Sequence, residues 1–365
     1  MQDNVCGGPV MSEDISQATG TQGPRLAGFW RRLGAFSIDG FILGSCGQVL
    51  GLIFYDQLCR LGAWGRPLGF LIALAYSVPL TSVLGGGQTL GKRLLKIRVV
   101  DIHCRPLSMG RAGLREFVLL LPAFLNNALL PRPFNTIWAS AIAGTIFFLA
   151  VISLFYLVVF NRRTKQGLHD LLAGSYVVRS SVVDGLEGLP GIWAGHYAVV
   201  GSLILAAVMG GYFAARMVCK MPGMDGVLAA YDALQKSDRW TLRAVTQGQM
   251  MFLGKTHGDS HKRRLGAGAS KISFVNVMAV SNQPFQDGEK DADEMASILF
   301  RAYPDAAKVD RIMIYETYGY DIGFAYRYKS RGAAYTGAQW RAKLSSATQA
   351  AAAFTPSSGG PERKH

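Results

Sequence analysis

The sequence predicts a membrane all-α helical bundle of about five transmembrane helices, followed by a small α+β soluble domain. Three observations predict it. Half of the 365 residues are hydrophobic and only 17% are charged, and the mean hydropathy is positive. Several apolar runs approach or reach the roughly 17–25 residues that cross a bilayer. Beyond Pro222 the pattern changes to the short alternating and amphipathic stretches of a soluble domain.

Taken in order, residues 1–27 are polar and rich in Gly, Ser and Thr. They read as a disordered tail without the apolar core of a signal peptide. The bundle is expected over 28–180. Its first apolar run, 29–55, is interrupted by Asp39. The second, 68–84, contains Pro79, which should kink it, and Gly85-Gly86-Gly87, which should end it. A basic stretch follows, in which LLKIRVV suggests a short extended or interfacial piece. The run 117–130 is short and contains Pro122, so it either spans thinly or re-enters; 137–160 is a clear span. A linker over 181–191 leads to a fifth helix at 192–218.

The α+β domain is expected over 219–347. A helix near 227–235, a strand at 271–280 and a helix at 291–301 precede two strands turning at Tyr318-Gly319. The tail 348–365 is Ala/Ser/Gly/Pro-rich and reads as disordered.

The formal net charge is +14. Basic balance marks either nucleic-acid binding or the cytoplasmic loops of a membrane protein. No basic stretch is interleaved with aromatics, so nucleic acid is not an expected partner; the lipid bilayer is. The densest short basic loops, 88–115 and 161–179, should both be cytoplasmic. An even number of crossings then separates them, with the Pro131-Arg132-Pro133 turn outside. That places the N-terminus in the cytoplasm and the C-terminal domain on the extracytoplasmic side of a bacterial inner membrane. The five cysteines have no CxxC spacing, which excludes a zinc framework from sequence.

Asp39 is the sharpest functional signal. A carboxyl group in an apolar helix costs about 2.5–3.5 kcal/mol on insertion scales, so it faces the bundle interior and serves either an ion or a partner. Arg32, two helical turns earlier, lies on nearly the same face. Gly86-x-x-x-x-Gly91-Lys92 resembles a phosphate loop, but Arg93 stands where Ser or Thr should hold magnesium. Lys92 and Arg93 are instead expected to anchor on lipid headgroups. Glu116 is expected at the interface. His257-Gly-Asp259-Ser-His261 offers too few rigid ligands for a metal site. Tyr315, Tyr318, Tyr320, Tyr326 and Tyr328 suggest an aromatic face, for packing or for recognising a peptide. No catalytic constellation, organic cofactor or metal is expected, and no enzyme activity.

Three blocks resemble the RDD family of bacterial membrane proteins, named for one arginine and two aspartates: RRLGAFSID with Arg32 and Asp39, GGQTLGKRLLKIRVVD, and TKQGLHDLLAGSYVV with Asp170. The resemblance covers about residues 25–180. It implies the bundle architecture, with the 161–179 segment folding back so that Asp170 nears Arg32. Some family members are linked to sodium or lithium/proton antiport, which implies exchange at Asp39, tuned by Arg32 and Asp170. With few polar residues among five helices, such a pathway would call for a homodimer interface. The alternative is a non-transporting adaptor whose C-terminal domain binds an envelope partner.

Overall fold

The computed structural model describes residues 26–131, 134, 136–182, 186, 189–253, 269–281, 283–285 and 290–353. Most of the N-terminal stretch, Arg132-Pro133, the His257–His261 stretch and the last twelve residues therefore lie outside the described residues.

The bundle contains α1 (Phe29–Ile53), α2 (Tyr55–Leu61), α3 (Gly65–Thr81), α4 (Leu90–Leu94), β1 (Ile97–Val100), α5 (Met109–Leu125), α6 (Ile137–Phe160), α7 (Leu168–Ala173), β2 (Tyr176–Arg179) and α8 (Gly195–Cys219). Among the described residues, three helical segments are long and apolar enough to cross a membrane: Phe29–Ile53, Tyr55–Thr81 (α2 and α3 taken together) and Gly195–Cys219; the apolar stretch Trp138–Leu154 lies within α6. Wide exposure of Phe41, Leu71, Ile142, Leu205 and Phe213 suits lipid contact.

Local chemistry sets the helix ends. The Thr136 hydroxyl accepts from the Ala139 N–H and starts α6. Ser108 does the same for α5 through Arg111 N–H. Pro79 sits in the last turn of α3, and Gly86 and Gly87 follow at φ +68° and +78°, where L side chains are strained. β1 and β2 pair antiparallel, with Val99 opposite Val177. Leu26 bridges Val178, and the Ala27 N–H donates to the Val177 carbonyl at 2.9 Å. Ala27 is fully buried. The polar tail expected over 1–27 thus gives way to packed structure by Leu26, because an apolar pair there closes over the small sheet.

The remaining elements form the C-terminal domain: α9 (Met224–Gln235), β3 (Trp240–Leu253), β4 (Ala269–Ser281), α10 (Lys290–Ala302), β5 (Arg311–Asp321), β6 (Tyr326–Tyr335) and α11 (Gly337–Ala353). The sheet order is β3-β4-β5-β6. β4 and β5 are parallel, with Val275 opposite Ile312, so α10 is the crossover between them. Inward residues of the sheet pack under the three helices around Leu234, Met295, Leu299 and Trp340. Each such fully buried side chain contributes about 1.5–3 kcal/mol.

Two expectations for this domain are corrected. The hairpin does not turn at Tyr318-Gly319; β5 runs straight through to Asp321. A Cβ on Gly319 would overlap the Arg327 carbonyl oxygen, so this glycine admits the neighbouring strand rather than a turn. The real turn lies at 322–325, where the Asp321 carboxylate accepts from Gly323 N–H at 2.8 Å and Gly323 takes φ +83°. Nor do the five tyrosines share a face. Tyr318 and Tyr320 are buried, whereas Tyr315 and Tyr326 are exposed. Tyr315 lies an odd number of positions from Tyr318 and Tyr320, and strand side chains alternate between faces.

Candidate functional site

Two polar constellations sit toward one end of the bundle, where α1 begins, α3 ends and the 161–179 segment returns. The first is built on Asp170. Its side chain is fully buried. Oδ2 accepts from Arg32 Nη1 at 3.2 Å and from Gly167 N–H at 3.4 Å; Oδ1 accepts from Arg115 Nε at 2.9 Å and from the Ser175 hydroxyl at 3.1 Å. Arg115 also donates to Glu116 Oε1 at 2.6 Å, and Lys92 lies 3.5 Å from the same oxygen. Three cations and two carboxylates thus form one chain of contacts across α1, α4, α5 and α7.

Arg32 does more than pair. It donates to the Ala27, Lys165 and Val177 carbonyls at 3.2, 2.5 and 3.4 Å. An arginine in the first helical turn opposes the helix dipole. Here its guanidinium also ties the entrance of α1 to the return segment through these backbone carbonyls.

Burial alone would raise the carboxyl pKa of Asp170. The positive charge of His169 when protonated, together with Arg115, Arg32 and the Ser175 hydrogen bond, outweighs it and holds the group well below the usual carboxylate range. Burial pushes His169 down to about 4, more than Asp170 lifts it. At neutral pH, therefore, His169 is uncharged and the two arginines carry the compensation. Burial also lowers the pKa of Lys92, against the opposing pull of Glu116.

The second constellation is Asp39. It is 9% exposed and accepts three hydrogen bonds. Tyr76 OH donates to Oδ1 at 2.7 Å, Gly91 N–H to Oδ1 at 2.8 Å, and Thr89 Oγ1–H to Oδ2 at 2.5 Å. Thr89 is the residue before α4. The carboxylate therefore caps the N-terminus of a neighbouring helix, a position favoured for anions. Gly91 is required there, since a Cβ would collide with the Ala35 carbonyl oxygen of α1.

The expected approach of Asp170 to Arg32 is thus present as a direct ion pair, while Asp39 belongs to a separate set of partners. Arg93 is exposed. Lys92, expected on headgroups, points inward instead: its side chain is 12% exposed and it donates to Thr81 Oγ1 at 3.2 Å. Glu116, expected at the interface, is 2% exposed. Each lies beside a buried opposite charge: Glu116 Oε1 is 3.5 Å from Lys92 and 2.6 Å from Arg115.

Sequence reasoning does not single out Arg115, Tyr76 or Thr89, and it reads Gly91 only as a turn glycine of the loop-like motif. Thr89 before a short helix was a readable N-cap signal, and Arg115-Glu116 opening an apolar run was a readable buried pair. Among the described residues, no group of three or more His, Cys, Asp or Glu is placed to hold a metal ion.

A helical bundle with buried ion pairs near one end, apolar helices suited to lipid and a soluble domain beyond them defines a multi-pass membrane protein. Residues 26–174, which include Arg32, Asp39 and Asp170, match the model of the RDD family, and the C-terminal region matches none. A comparison with curated proteins found no match.

Proposed function

We propose that this chain is a non-transporting membrane adaptor: the helices hold the C-terminal domain at the membrane surface, where it meets a partner in the envelope. One observation carries the reading. Asp39, Glu116 and Asp170 are each already engaged by donors or cations. A cation carrier needs acceptor oxygens free to replace water around the ion. Asp39 would have to surrender a tyrosine, a threonine and a helix N-terminus to provide them. The basic loops support a cytoplasmic position for the end bearing Asp170, and hence an extracytoplasmic position for residues 219–347 in a bacterial inner membrane. No chemical step and no cofactor are assigned to the chain.

The test is made in liposomes carrying the full chain, following internal pH while sodium or lithium is added outside. The adaptor reading expects no cation-dependent proton movement. A flux that disappears in Asp39→Asn would overturn it in favour of sodium or lithium/proton exchange at Asp39. Alkaline phosphatase fused to the C-terminus should be active in cells; an inactive but well-expressed fusion would reverse the proposed orientation.

A further inference from the structure

The tip of the β5–β6 hairpin is not free. It is inserted between α1, α3 and α5 at the end away from Asp170. On α1, Cβ atoms added to Gly47 would overlap Ala325 and the Phe324 ring, and one on Gly44 would lie 3.3 Å from the Phe324 carbonyl oxygen. On α3, Cβ atoms at Gly65 and Gly69 would overlap the Asp321 and Ile322 carbonyls. On α5, the Phe124 ring covers Gly323. Gly44 lies nine residues before Ile53, so the tip reaches about 13 Å below the end of α1. The glycines therefore form a groove, and the hairpin backbone occupies it.

What fastens the tip is narrow. Arg66 Nε pairs with Asp321 Oδ2 at 2.9 Å, and Arg66 Nη1 ties the same point to the Phe124 carbonyl at 3.0 Å. Beneath lies a small apolar cluster of Cys59, Tyr318, Tyr320, Ile322 and Ala325. The C-terminal domain has its own, larger core around Trp240 and Trp340, and the opposite end of the bundle has another around Ile97 and Val99. Parting at the groove would leave both of those cores intact.

We infer that the hairpin tip is a releasable plug, with Arg66–Asp321 as its catch. Docked, it fills the glycine groove between α1 and α3. Released, it bares the groove and frees the C-terminal domain from the bundle. The inference goes beyond the adaptor reading, since it concerns how the two units separate and holds whether or not the bundle moves ions.

Cys59 reports on the plug directly, because it is 1% exposed and lies under the docked hairpin. The full chain, with Cys6, Cys46, Cys104 and Cys219 changed to Ser, is reconstituted in vesicles and labelled with N-ethylmaleimide. Asp321→Asn and Arg66→Gln should each raise the Cys59 labelling rate about ten-fold, as expected for loss of a charged hydrogen bond. Gly69→Leu should raise it further. Hydrogen exchange in β4 separates undocking from unfolding and should stay slow in all variants. Unchanged labelling in every variant, or labelling that rises only together with loss of β4 protection, would overturn the plug.

Discussion

Asp170 and Arg32 are 138 positions apart in the chain and meet at 3.2 Å with the carboxylate fully buried. The same carboxylate also serves Arg115. Removing it strands two guanidinium groups in a dry setting. Asp170→Ala should therefore cost about 3–5 kcal/mol and sharply reduce folded protein in the membrane, read by detergent size exclusion. Exchanging the pair, Asp170→Arg with Arg32→Asp, should not rescue it, because the new arginine would face Arg115. Recovery of folded protein in the exchanged variant would mean that Arg115 contributes little.

Acid should loosen this end of the bundle. The pKa of His169 is about 4 in the fold, against an ordinary 6.5. Between those values the unfolded chain binds more protons, so stability falls as pH drops from about 6.5 to 4. Asp170, whose pKa is depressed, adds a further loss below its ordinary 3.8. Thermal unfolding in detergent should thus weaken steadily from pH 7 to 4, and His169→Gln should flatten the upper part of that slope. An unchanged slope in the variant would show that His169 does not control it.

Asp39 makes a sharper distinction between charge and shape. Asn keeps an oxygen for Tyr76 and Gly91, and its amide can donate to the Thr89 hydroxyl. Asp39→Asn should therefore lower stability by only about 1 kcal/mol, roughly what a charge at a helix N-terminus contributes. Asp39→Leu leaves three donors unsatisfied and should cost about 3 kcal/mol or more. Melting curves of the two variants, taken side by side, check the difference.

Gly91→Ala tests the close approach of α4 to α1. The added methyl meets the Ala35 carbonyl, and relief would pull the Gly91 N–H away from Asp39. A loss of about 1–3 kcal/mol is expected, as for overpacking in a well-filled interior. Wild-type melting would place α4 farther from α1.

In the C-terminal domain, Trp340 is fully buried, and its Nε1–H donates to the Ile312 carbonyl at 3.2 Å. Trp340→Ala should cost about 3–5 kcal/mol. Faster hydrogen exchange should appear in residues 219–347 while β1 and β2 stay protected. Loss of protection in both regions would show that the two units unfold together.

What could be read in advance follows from which signals are local. The apolar runs, the helices at 227–235 and 291–301 and the strand at 271–280 announce themselves by period within a dozen residues. β3 is obscured because Arg243, Gln247 and Gln249 break its apolar pattern while its bulge near Leu242 shifts the alternation. β2 is four residues long and exists because β1 lies beside it. At the candidate site, Arg32 and Asp170 were legible together only through three separated motifs. The inward turn of Lys92 and the burial of Glu116 depend on each other's charge, and no window of sequence contains both. The Gly319 turn failed for a related reason: a glycine marks room for a neighbour as readily as a reversal of the chain, and that neighbour, β6, had first to be placed.

The hairpin's seat also imposes an order on biosynthesis. The glycine faces of α1 and α3 are complete once Gly69 has been made, but their occupant ends at Ala325, about 250 residues later. At roughly 5–20 residues per second, the wait is on the order of 10–50 s. Throughout that interval the nascent bundle has a bare furrow along two of its helices, and the hairpin can seat there only once Ala325 has been made.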